Sequence, residues 1–145
     1  MAITHKYTIM CDQVRREDNG KLMFLGIYED GFGVPQLPAV LPGLMFALRL
    51  ESDRPGIWNA KVWMEHLETG RKLFEAMAMM NFQKPGTGWS LFPTPVPFQF
   101  QAAGAYNFVV EIQGQESTPL IHTFNISLVV PTQIQNQQPF RLGQM

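Results

Sequence analysis

Residues 102–114, AAGAYNFVVEIQG, alternate between two chemical faces over almost their whole length. Tyr106, Phe108, Val110 and Ile112 fall on one side, while Asn107, Glu111 and Gln113 fall on the other, interrupted by Val109. Successive side chains of an extended chain point to opposite faces, so this period of two predicts a strand with one buried face. Residues 120–131, LIHTFNISLVVP, repeat the pattern: Leu120, His122, Phe124, Ile126, Leu128 and Val130 line one face against Thr123, Asn125 and Ser127. Two such rows joined through QESTP read as a hairpin, which commits this end of the chain to β structure.

The rest of the chain is divided into short runs by eleven prolines and twelve glycines, the punctuation of an all-β domain. The first run, ITHKYTIMCDQV, sets Ile3, His5, Tyr7, Ile9 and Cys11 on one line and ends in a turn at Asn19-Gly20, a favoured hairpin pair. KLMFLGIYE follows as a strand apolar on both sides, with Leu22, Phe24 and Tyr28 on one face and Met23, Leu25 and Ile27 on the other. VPQLPAVLPG has three prolines, which forbid a central strand and predict an extended surface connection. LMFALRLES turns Leu44, Phe46, Leu48 and Leu50 inward, and IWNAKVWMEHL alternates Trp58, Ala60, Val62, Met64 and His66 with Asn59, Lys61, Trp63 and Glu65.

RKLFEAMAMMNF favours helix by intrinsic propensity, yet it follows a strand and a tight turn, and Phe74, Ala76, Ala78, Met80 and Phe82 are all apolar. It is read as a strand. KPGTGWSLFPTPVP, 84–97, is too proline-rich for a sheet interior and is expected to cross between sheets.

About seven to eight strands with one apolar face each make a two-layer antiparallel β-sandwich. Gly104-x-Tyr106-x-Phe108 looks like the entry to the penultimate strand of immunoglobulin-like domains, where a tyrosine bonds back to an upstream backbone group and a core residue follows two positions later. Residues 1–131 are expected to form this domain, and 132–145 a Gln-rich polar tail. A chain of 145 residues can bury about 68–70% of its unfolded surface, so it needs no metal or disulfide to hold a core.

The blocks THKYTIMCDQVRREDNGKL, LESDRPG, EHLETG and FQAAGAY together resemble a family of bacterial and phage-associated domains of unknown function, over most of residues 3–130. The resemblance implies a small β-sandwich without an assigned activity, so it transfers no catalytic residue.

Chemistry finds little to hold. With a formal net charge of −1 and no basic block, nothing recruits a phosphate backbone or an anionic membrane, so neither nucleic acid nor membrane is an expected partner. No signal segment precedes the first strand and no apolar run reaches the ~18 residues of a bilayer span, so the expected compartment is the cytoplasm; a virion protein made in a host cytoplasm would read the same way. The single cysteine, Cys11, excludes an internal disulfide and lacks a thiol-enzyme signature. His5, His66 and His122 each sit on an apolar line near a strand end, and three imidazoles plus water is a zinc set, but no pair has metal-ligand spacing. No cofactor and no catalytic residue is expected.

Two non-enzymatic readings remain. Charged residues make up 16% of the chain against a typical ~25%, alongside nine methionines and eleven phenylalanines. Met23, Leu25 and Ile27, with Met45 on the next strand and Trp63 further on, would give an outward apolar surface for another protein or a second copy. The alternative is glycan binding on exposed aromatics, with Trp63 on an outward line and Trp89 and Phe92 in a loop.

Overall fold

The structure, a computed structural model, describes residues 3–41, 43–95, 98–114 and 119–129. Among them the chain is all-β, with eleven strands and no helix: β1 (Ile3–Arg16), β2 (Leu22–Tyr28), β3 (Gly31–Val34), β4 (Ala39–Leu41), β5 (Met45–Ser52), β6 (Gly56–His66), β7 (Lys72–Phe82), β8 (Gly86–Pro93), β9 (Phe98–Phe100), β10 (Gly104–Ile112) and β11 (Leu120–Leu128). They form a four-stranded sheet in the order β2-β1-β5-β8, a five-stranded sheet in the order β3-β11-β10-β6-β7, and a two-stranded sheet of β4 and β9. None of the three closes on itself. The tail 132–145 lies outside the described residues.

The apolar rows meet between the two large sheets. Phe46, Leu48 and Leu50 on β5 are at most 2% exposed, as are Tyr106, Phe108 and Val110 on β10 and Phe124 and Ile126 on β11. Phe46 stacks on Phe108 across the gap with parallel rings and centroids 4.0 Å apart. Tyr106 stacks on Phe124 and meets Phe100 edge-on. Aromatic pairs of this kind add about 0.5–1.5 kcal/mol each beyond the area they bury.

The entry to β10 is tied down carbonyl by carbonyl. The Tyr106 hydroxyl donates to the Ala102 carbonyl at 2.5 Å, the backward bond that Gly-x-Tyr-x-Phe leads one to expect. His66 Nε2 lies 2.9 Å from the Ala103 carbonyl, and the Leu67 amide donates to the Ala105 carbonyl at 3.0 Å. A carbonyl can only accept, so Nε2 carries the proton and, in the neutral ring, Nδ1 accepts from the Thr69 hydroxyl at 2.9 Å. Gly104 fits here because its φ is +116° and a Cβ would stand 3.2 Å from His66 Nε2.

Where strand and helix compete, pairing decides. Residues 72–82 form β7 because they pair antiparallel with β6 over ten positions, from Gly56↔Phe82 to Glu65↔Lys72. Local helix propensity is a few tenths of a kcal/mol per residue, and the pairing with β6, together with the packing of Phe74, Ala78, Met80 and Phe82 on the core, outweighs it.

Several expectations are corrected. The stretch 84–97 does not simply cross between sheets, since 86–93 form β8, paired with β5 from Met45↔Pro93 to Ser52↔Gly86. Pro85 precedes the paired segment and Pro93 is its last residue, and β8 stands at a sheet edge, where a missing N–H is tolerated. The short strands β3, β4 and β9 also carry the count past eight. The pairing is not wholly antiparallel: β3 runs parallel to β11, from Asn125↔Gly31 to Leu128↔Val34.

On β1, a register shift between His5 and Tyr7 moves the alternation by one residue. Met10, at 0% exposure, pairs with Phe46 in the core, and Tyr7, Ile9 and Cys11 turn to the opposite face. A one-residue slip sends every later side chain to the other side.

Candidate functional site

Both large sheets carry apolar side chains on their outward faces, and these faces are the surfaces available for recognition. On the five-stranded sheet, the register lays Trp63 beside Val109 and Val109 beside Ile121, an apolar row across three strands. Val109, the one residue that broke the polar side of its strand, is the centre of that row and is 2% exposed. Towards the β7 edge, Lys61 lies beside Met77, Asn59 beside Met79 and Ile57 beside Asn81. Ile57, Met77, Met79 and Ile121 are 61%, 59%, 69% and 52% exposed.

Trp63 is held in place by charge. The Lys72 ammonium sits 4.8 Å from its ring centroid and the Lys61 ammonium 5.9 Å. Both reach Glu75, at 3.4 Å and 2.7 Å. The Lys61 bond holds the Glu75 carboxyl below its usual range, and Glu75 in turn raises Lys61. The Trp63 indole N–H is buried and has no hydrogen-bond partner among the described residues.

The four-stranded sheet turns a second face outward. Met23 and Ile27 are 41% and 56% exposed, while Leu25 and Met45 are half-buried. Part of this face is covered from within the chain. Trp89 is met by Phe24 at 5.0 Å, by Tyr7 edge-on at 5.6 Å and by the Arg49 guanidinium at 5.2 Å. Cys11 and Ala47 on the same face are 0% exposed, yet both stand outside the core cluster between the sheets.

The five residues expected at an interface are therefore divided. Met23, Leu25, Ile27 and Met45 belong to the four-stranded sheet, and Trp63 belongs to the five-stranded one. Ile57, Met77, Met79 and Ile121 were missed. For Met77 and Met79 the signal lies in the odd positions of 71–82, beside the even apolar row; Ile121 is a single apolar residue on an otherwise polar line of its strand, and Ile57 shares such a line only with Trp63.

The aromatic candidates do not form one platform. Phe92 is not in a loop: it is a β8 core residue, 7% exposed, with its ring 6.0 Å from Phe108. Trp89 is likewise on β8, with neighbours on its ring, and Trp63 is on the other sheet.

The histidines are also dispersed. Both ring nitrogens of His66 are engaged at the β10 entry, in the wall of a cavity of about 170 Å³ shared with Thr69, Arg71, Gln101 and Tyr106. His5 Nε2 bonds Thr8 Oγ1 at 2.8 Å, and His122 Nε2 is buried with no hydrogen-bond partner among the described residues. Among the described residues no three His, Cys, Asp or Glu side chains gather to hold a metal. Cys11 packs as a small hydrophobe; burial pushes its thiol up, and Sγ lies 3.6 Å from the Gln13 carbonyl. Tyr28, bonded to Asp12, is pushed up to about 12, chiefly by burial. No helix among the described residues is long and apolar enough to cross a membrane.

His122 and His5 give the fold a pH dependence. Burial lowers both below 6.5, and the charge of His5 lowers His122 further. The unfolded chain then binds protons more readily than the folded one, so stability is complete above pH 6.5 and declines as the pH falls below it. Urea titrations at successive pH values should show that decline. His122→Phe, which keeps a ring against Phe46 and Phe124, should flatten part of it. An unchanged slope would remove His122 as the cause.

No curated protein matches the chain. One family model does match, over residues 6–122, from the first strand into the last hairpin. That span covers most of both large sheets, so the chain belongs to this family of unknown function (DUF6941).

Proposed function

We propose that the protein is a non-enzymatic, immunoglobulin-like β-sandwich that works by contact, as a homo-oligomer or as a component of a larger assembly. The immunoglobulin-like reading is supported by strand order. β1-β5-β8 run as strands A, B and E of such a domain would, and β11-β10-β6-β7 as G, F, C and C′. Phe46 and Phe108 then occupy the facing positions that a disulfide links in antibody domains, and Tyr106 makes the corner bond two residues before the second of them.

One observation carries the contact reading. Met23, Ile27, Ile57, Met77, Met79 and Ile121, all on outward sheet faces, are between 41% and 69% exposed. Apolar groups spread singly over a surface need no explanation, but sets on neighbouring strands mark an interaction site. The resemblance to phage-associated domains makes a virion or prophage-encoded assembly a setting that would use such a surface.

Light scattering on the full chain tests this. The expected result is a defined mass above that of one chain. Leu25→Glu or Ile27→Glu should reduce it, with the fold retained, where the four-stranded face is the contact. A chain that stays monomeric at every concentration reached would remove the homo-oligomer.

A further inference from the structure

The edges of the two large sheets differ in how well they are protected. Exposed strand edges offer unpaired N–H and C=O groups to any other strand, and proteins blunt them with short length, glycine kinks, proline or charge. β3 has four residues, including Gly31 and Gly33, and is followed by Pro35. β8 contains Gly86 and Gly88 and ends at Pro93. β2 is broken by Gly26 at φ +68°. Among the described residues β7 is the least protected edge, because its two charges, Lys72 and Glu75, lie in its first four residues. It runs for eleven residues without glycine or proline, and it carries no charge from Ala76 to Phe82. Beneath it, towards β8, opens a groove of about 390 Å³ lined by Phe74, Ala76, Ala78 and Met80 on one side and by Leu91 and Phe92 on the other.

We propose that the occupant of the β7 edge is the β7 strand of a second copy of this chain, paired antiparallel about a two-fold axis at Ala78 and joining the two five-stranded sheets into one. This rests on the contact reading above and names its partner and register. An isologous interface requires a strand complementary to itself, and β7 is so about Ala78. On the outward face, Met77 comes opposite Met79 and Glu75 opposite Asn81, whose amide can donate to the carboxylate. On the inward face, Ala76 comes opposite Met80 and Phe74 opposite Phe82. Within 74–82 no like charges oppose each other, and cross-strand apolar and aromatic pairs stabilise a sheet; Lys72 comes level with Lys84 only beyond the end of the strand. The pairing covers Met77 and Met79, two of the most exposed apolar side chains, and brings the partner alongside the groove.

The axis makes a specific prediction. Residues directly opposed in an antiparallel pair have Cα atoms about 4.5–5.5 Å apart, inside the range a disulfide spans. Ala78→Cys should therefore cross-link to its own counterpart under mild oxidation, while the parent chain, whose Cys11 is 0% exposed, should not. Met79→Lys, at a position 69% exposed, should leave the fold intact and bring the mass in solution from two chains to one. If Ala78→Cys fails to cross-link and Met79→Lys leaves an oligomer unchanged, the β7 pairing is overturned. Loss of that oligomer with Ile27→Glu would then keep the contact reading and move it to the other sheet. A chain monomeric throughout would end both.

Discussion

Phe108→Ala is expected to cost the fold about 3–5 kcal/mol, seen as a lower urea midpoint at unchanged denaturant slope. The ring is 1% exposed and lies parallel to that of Phe46, itself 0% exposed, with centroids 4.0 Å apart. Phe92 closes from a third strand, 6.0 Å away. Removing the ring forfeits its transfer free energy and leaves a cavity walled by both sheets, whose paired backbones cannot collapse into it. Phe46→Ala should cost a similar amount. The double variant should cost less than the sum, because the second removal finds the stacking contact already lost, a coupling of about 0.5–1.5 kcal/mol. Costs below about 1 kcal/mol for either single change would mean that this pair is not where the sheets are joined.

Gly31→Ala should destabilise by about 3 kcal/mol through a different mechanism, backbone approach. Gly31 has φ +142°, and a Cβ there would stand 1.8 Å from the Asn125 carbonyl oxygen. That oxygen belongs to β11, so the clash is relieved only by separating β3 from it. The Asn125 amide bonds the Asp30 carbonyl at 2.9 Å and the Val129 amide bonds the Val34 carbonyl at 2.8 Å, and both should then exchange with solvent faster. Gly70→Ala is the control: its φ is +70°, but nothing lies within 4 Å of the new Cβ, so only strain of about 1 kcal/mol remains. Equal effects at both positions would show that backbone strain, not the β3–β11 approach, governs Gly31.

The readability of the fold followed the periodicity. β5, β6, β10 and β11 each carry a largely apolar inward row, so their alternation survives in the residue order, and the rows of Phe46, Met64, Phe108 and Phe124 are legible in the sequence. β8 was hidden because it follows Pro85, ends at Pro93 and begins Gly-Thr-Gly-Trp-Ser, with few apolar residues at matched positions. β3 and β4 were hidden by length, since three or four residues carry too little pattern to count. The bulge near His5 could not be read at all, because it depends on the register of β1 against β5.

The candidate surface was legible in kind and not in place. Scarce charge with abundant methionine pointed to an exposed apolar face, and Met23, Ile27 and Trp63 do lie on outward faces. Trp63 belongs to the opposite sheet, however, and the most exposed methionines, Met77 and Met79, are on β7, where both faces carry apolar residues and the residue order does not tell inward from outward.

By itself the residue order determined the all-β class, the inward rows of β5, β6, β10 and β11 and the Tyr106 latch, because each depends on chemistry a few positions apart along the chain. Tertiary structure alone decided which strands stand at the edges, that β3 runs parallel to β11, that Phe24 and Trp89 meet, and that β7 is left, among the described residues, unpaired on one side. Those outcomes depend on which strands become neighbours. Neighbours in a sheet are chosen by the burial of all its faces together, and no single segment carries that information.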